Sequence, residues 1–250
     1  MSKRLSFFQK HAFLLGFFFF IFLDCYNLYV GNYHSRLYSK PPQMIFLFCW
    51  FFRNTTLGRV GVPPQTLTMR FCVYSVLILA TVSDVCGLSS DFLVWSACQL
   101  LYIPIYVIYL VLLIDVMRKG NEERKVIFYL KKVVPTFIIM LIIAITVLWK
   151  AVGLGHEFYH WCLYIHSFII CLMATICANM WGSEILGRYR VLFAIAIFFL
   201  CITNITYCFD EFYFSRRHPI LDLFVSMGNG LYNVLMLFGV INMFKLNKKL

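Results

Sequence analysis

The sequence predicts an all-α fold, a polytopic transmembrane helical bundle, and three observations predict it. The 250 residues are 62% hydrophobic and 13% charged, with a mean hydropathy of +0.80. Their apolar residues come in runs of about 20, the length that crosses a bilayer as a helix. The polar segments between runs are too short to bury a core of their own. A water-soluble enzyme is excluded, because such a domain must turn much of its surface to water. Residues 1–250 therefore read as a single integral membrane domain.

The first run, Ala12 to Val30, follows the basic head Lys3, Arg4 and Lys10. It reads as a retained span rather than a cleaved signal. No A-x-A-like site follows it, and Leu23-Asp24-Cys25 puts Asp where a lipoprotein box needs a small residue. The second run, Pro41 to Leu57, is the weakest: only Met44 to Phe52 is purely apolar, and Pro41 suits a first helical turn. Runs three to eight cover Phe71–Ser89, Phe92–Ile114, Val133–Val152, Phe158–Met180, Arg190–Phe209 and Ile220–Met243. Pro104, inside the fourth, is a tolerated kink if its freed carbonyl is satisfied. Eight spans are expected, with seven as the alternative if the second run does not cross.

Charge orients the eight-span layout. Seventeen of the 22 Lys and Arg fall on the side of both termini and five on the other, which predicts cytoplasmic termini. The seven-span layout, with the N-terminus outside, divides them almost as well. The formal charge of +11 thus reflects topology and contact with anionic lipid, not nucleic-acid binding. The ten cysteines lie mostly within apolar runs, without a C-x-x-C pair, and read as small buried hydrophobes.

Ionisable groups inside a membrane are costly and point to function by default. Asp24, Asp84 and Asn204 lie about five or six residues before the outer ends of spans one, three and seven. Lys40, Gln99, Tyr102 and Asp222 lie near the outer starts of spans two, four and eight. Five residues of helix rise roughly 7 to 8 Å, so these groups share one depth. The expectation is a hydrated cavity in the outer leaflet.

His156-Glu157-Phe158-Tyr159-His160 satisfies H-E-x-x-H. On a helix it would set His156 and His160 on one face for zinc, with Glu157 as general base. It begins at a loop-to-helix junction after Gly153-Leu154-Gly155. Glu184, 24 residues beyond His160, is about 36 Å along a helix and cannot be a third ligand. Zinc is therefore an alternative to a site without cofactor. His166, deeper in the same span, reads as a packed histidine.

Several polar blocks resemble a known family. These are Tyr38-Ser39-Lys40-Pro41, Ser83-Asp84, the stretch from Phe92 through Gln99-Leu100-Leu101-Tyr102-Ile103, and Thr203-Asn204 followed by Asp222. They resemble the Lys-Pro, Gly-Asp, F-x-x-G-x-x-x-F-x-x-A-H-x-x-Y-I and Ser-Asp segments of the YhhN/TMEM86 family of lysoplasmalogenase-like membrane proteins. The resemblance implies eight helices and hydrolysis of the lysoplasmalogen vinyl ether to a fatty aldehyde and a glycerophospho-base. It also implies membrane lipids or lysophospholipids as partners. The expected location is the endoplasmic reticulum membrane of a eukaryote or the inner membrane of a bacterium. Asp84 and Asp222 would carry acid and base catalysis, while Lys40, Gln99, Tyr102, Asn204 and Asp24 would bind substrate. Asn204 stands where the family has its second Asp, and Gln99 replaces its histidine. A non-catalytic lipid-binding or transport protein is thus the alternative function, as is a metal-dependent hydrolase using His156 and His160.

Overall fold

Eight helices account for the apolar runs in order. They are α1 (Phe7–Tyr29), α2 (Arg36–Phe52), α3 (Leu67–Cys86), α4 (Phe92–Lys119), α5 (Val126–Val147), α6 (Phe158–Asn179), α7 (Gly187–Cys208) and α8 (Pro219–Leu246). The computed structural model describes residues 7–57, 67–119, 126–153, 155, 157–180, 187–214 and 218–246. Among these residues there is no strand, and the fold is an all-α bundle. Three helices end in a widened π turn: Arg53–Leu57 after α2, Leu148–Val152 after α5 and Phe209–Tyr213 after α7.

Seven of the eight helices are long and apolar enough to cross a membrane, which makes this an integral multi-pass membrane protein. The exception is α2, whose helix has 17 residues. With its π turn it continues to Leu57, roughly 33 Å in all, which matches a hydrocarbon core of about 30 Å. This helix begins at Arg36, five residues before the expected start. Its first turns are tightened by i→i−3 bonds from Arg36, Leu37 and Tyr38 to Tyr33, His34 and Ser35. Pro41 therefore lies inside the helix beside Pro42. The carbonyls they leave without an intrahelical donor belong to Leu37 and Tyr38, both exposed.

Helix packing closes a ring. Going round it, α1 packs on α2, α2 on α3, α3 on α4, α4 on α6, α6 on α7, α7 on α8, and α8 back on α1. The fifth helix stands outside and packs on α6. Only 6% of its apolar window is buried, and Ile138, Ile139, Ile142, Ile143 and Ile145 are exposed.

The ring is filled unevenly along its axis. Toward the end where α1 begins and α8 finishes it is a dry core that includes Phe17, Leu47, Trp50, Phe51, Val73, Leu113, Met173, Phe193 and Leu237. Small residues allow close approach at both ends of the α7–α8 contact, as in many membrane bundles. A Cβ on Gly239 would press on the Phe193 ring, and one on Gly228 would overlap the Thr203 hydroxyl. Toward the opposite, distal end the buried residues turn polar: Asp24, Arg36, Ser39, Gln43, Ser83, Asp84, Gln99, His166, Thr203 and Ser226.

Candidate functional site

Two ion pairs organise the distal end. Asp24 on α1 is completely buried. It accepts Arg36 Nε at 3.1 Å on Oδ1 and Arg36 Nη2 at 3.3 Å on Oδ2. Ser39 Oγ adds a bond to Oδ1 at 3.1 Å, and Ser226 Oγ one to Oδ2 at 2.7 Å. Asn27 Nδ2 donates in turn to Ser39 Oγ at 3.2 Å. Four donors from α2 and α8 thus saturate the carboxylate, and bidentate Arg pairing fixes its plane. Expected to bind substrate, Asp24 is instead engaged wholly within the protein, as the clasp of α1, α2 and α8. Arg36 is its buried partner.

The second pair is looser and open. Lys40 Nζ lies 3.6 Å from Asp84 Oδ1, with the lysine side chain 22% exposed. Both line a cavity of about 90 Å³ with Gln43, Trp95, Tyr102, Tyr207, Glu211, Asp222, Ser226 and Asn229. Asp222 sits in the first turn of α8, where the helix dipole favours an anion. Of the two residues expected to be catalytic, then, each reaches the same cavity.

A second polar cavity of about 100 Å³ shares Lys40, Trp95, Tyr102, Tyr207, Val225 and Asn229 with the first. Gln99, Asn204, Ser83, Tyr106 and His166 also line it. Gln99 Nε2 donates to the Tyr207 hydroxyl at 2.9 Å, tying α4 to α7. Asn204 Nδ2 donates to the Leu200 carbonyl of its own helix at 2.9 Å, and the side chain also meets Tyr106 across the cavity wall. Ser83 Oγ donates to the Cys98 carbonyl at 3.2 Å, joining α3 to α4 beside Asp84.

These chambers continue at both ends. Toward the distal surface lies a vestibule of about 990 Å³ that shares Arg36, Gly87, Leu88, Trp95 and Glu211 with the first cavity. Aromatic rings frame its mouth: Phe92 stacks on Trp95 at 5.8 Å, and Tyr159 on Phe212 at 5.7 Å. Toward the membrane, His166 and Asn204 also border an apolar groove of about 80 Å³. Met140, Ile143, Ala144 and Val147 of α5 form one wall of that groove. Ile170, Cys171 and Ala174 of α6, with Cys201, Ile205 and Cys208 of α7, form the others.

Several cavity residues escaped the sequence reading. Tyr207, Tyr106, Trp95 and Asn229 look like ordinary membrane aromatics or helix contacts until the ring brings them together. The clue for Gln43 and Ser226 is weak: each is one polar residue in an apolar stretch.

The zinc arrangement does not form on a helix. The α6 helix starts at Phe158, and Glu157 before it is extended, with φ −68° and ψ 157°. The i, i+4 register of H-E-x-x-H is therefore broken at its second residue. His160 is buried between Tyr159 and Tyr164, while His156 lies outside the described residues. No group of three or more His, Cys, Asp and Glu is placed to hold a metal among the described residues.

No family model, no curated protein and no solved structure matches this chain.

Proposed function

We propose that the cavity takes a single-chain membrane lipid and hydrolyses its vinyl ether, as the resemblance to lysoplasmalogenase-like proteins implies. The observation that carries this reading is the sequence of three linked spaces: a wide vestibule, a polar chamber holding Lys40, Asp84 and Asp222, and an apolar groove. That order matches headgroup, reacting linkage and alkyl chain. Lys40, 3.6 Å from Asp84 Oδ1, exchanges that partner for the substrate phosphate, which turns the Asp84 carboxyl toward the linkage.

The chemistry needs one proton donor and one group to handle water. One of the pair Asp84 and Asp222 protonates the enol-ether carbon. Water adds to the adjoining oxocarbenium carbon while the second carboxylate takes its proton. The hemiacetal then collapses to a fatty aldehyde and a free glycerol hydroxyl. Tyr102 and Gln99 orient the substrate, with Asn204 at the chain end of the chamber. The chain is expected in the endoplasmic reticulum membrane of a eukaryote or the inner membrane of a bacterium, with both termini cytoplasmic.

A second reading, lipid binding or transport without turnover, draws on Asn204. Its amide cannot donate an acid proton and is already held by Leu200. Purified protein in nanodiscs with lysoplasmalogen separates the two. Aldehyde release that vanishes in Asp84→Asn supports hydrolysis, whereas stable binding without aldehyde supports the carrier.

A further inference from the structure

His166 has a free hydrogen-bonding atom at the point where polar chamber and apolar groove meet. The residue is 4% exposed and borders both spaces. Its ring is fixed by the edges of two tyrosines, Tyr106 at 5.5 Å and 85°, and Tyr102 at 6.3 Å and 83°. One nitrogen faces the main-chain carbonyl of Gln99, while Nε2 is buried with no hydrogen-bond partner. A carbonyl neighbour requires a donor, so the proton belongs on Nδ1 and Nε2 presents a bare lone pair. A buried acceptor left unmatched is costly unless a ligand matches it.

We propose that His166 Nε2 accepts the free glycerol hydroxyl of a single-chain lipid, and so selects such lipids over those with two chains. The proposal rests on the lipid reading above and names the residue that makes it specific for lyso forms. A lipid whose alkyl chain lies in the α5–α6–α7 groove brings its glycerol to the level of His166 and Asn204. The phosphate then lies nearer Lys40. An ether or ester oxygen has no proton to give to Nε2, whereas a free hydroxyl does. In a two-chain lipid that hydroxyl is acylated, so the acceptor stays unmatched.

The test compares two saturated ether lipids in nanodiscs: hexadecyl-lysophosphatidylcholine and the same molecule with its hydroxyl methylated. Wild type is expected to bind the hydroxyl form about tenfold more tightly, as one buried hydrogen bond allows. The preference should vanish in His166→Leu and persist in His166→Gln, whose carbonyl also accepts. Ala144→Trp, on the peripheral α5, should weaken both lipids by blocking the groove. Equal binding of the two lipids by wild type overturns the proposal without needing any variant. So does a preference that survives in His166→Leu. If the preference appears as expected but vinyl-ether lipid yields no aldehyde, hydrolysis falls and the role of His166 stands. If aldehyde forms while wild type ignores the methyl group, the reverse holds.

Discussion

Asp24 and Arg36, twelve residues apart, meet as a fully buried two-point ion pair at 3.1 and 3.3 Å that bridges α1 and α2. A buried pair broken on one side leaves an uncompensated charge, which typically costs about 3 to 5 kcal/mol. Asp24→Asn and Arg36→Met should each lower thermal stability in detergent by that order. The double variant should recover a large part of the loss. Additive losses in the double-mutant cycle would mean that the two side chains do not depend on each other.

Catalysis should depend on the two cavity carboxylates and not on the clasp. Asp84→Asn and Asp222→Asn are each expected to lower aldehyde release from lysoplasmalogen by about a hundredfold or more, the usual worth of a general acid or base. Asn204→Asp, which adds a carboxyl to the adjoining cavity, should raise it. Full activity in Asp222→Asn would remove that residue from the chemistry.

Lys40 is expected to read the phosphate. A charge-assisted contact is worth about 1.5 to 3 kcal/mol, or roughly ten- to a hundredfold in affinity. Lys40→Met should weaken hexadecyl-lysophosphatidylcholine by that factor and leave hexadecylglycerol, which has no phosphate, unchanged. Equal loss for both lipids would point to a general distortion of the cavity.

Close packing of α7 and α8 depends on Gly228. Its added Cβ would overlap the Thr203 hydroxyl, and such overpacking costs about 1 to 3 kcal/mol. Gly228→Ala should lower the melting temperature of the solubilised protein. Adding Thr203→Ala should restore it by removing the colliding atom. An unchanged melting temperature for Gly228→Ala would show that the helices part without penalty.

The expected eight crossings would put both ends of the chain on one side. Tags at residue 1 and residue 250 should therefore be reached by protease from the cytoplasmic face alone, in sealed vesicles of known orientation. Opposite accessibility of the two tags would mean that α2 does not cross.

Hydropathy made the helices legible and misjudged their importance. The second run looks weakest because only Met44 to Phe52 is purely apolar, yet Arg36, Lys40 and Gln43 at its outer end are where α2 faces the ring's polar interior. The fifth run is among the most apolar, with a mean hydropathy of 2.3 in its window, and it stands outside the ring against lipid. In a membrane, apolarity marks exposure to the solvent as much as burial. The shared depth of Lys40, Asp84, Gln99, Tyr102, Asn204 and Asp222 was readable from spacing along each helix. What spacing does not contain is rotation about the helix axis. Asp24, at the right depth, points into the α1–α2–α8 contact, and His166, which looked like packing, borders both chambers.

The position of α5 has a mechanical consequence. One wall of the apolar groove belongs to the helix with the fewest neighbours. Lipid tails are as apolar as its isoleucines, so moving α5 away from α6 exchanges one hydrocarbon contact for another at little net cost. The other seven helices form a closed hoop, locked at its distal end by a saturated carboxylate. On the lipid reading proposed above, the closed hoop is the frame and α5 the stave beside which an alkyl chain would enter sideways from the bilayer.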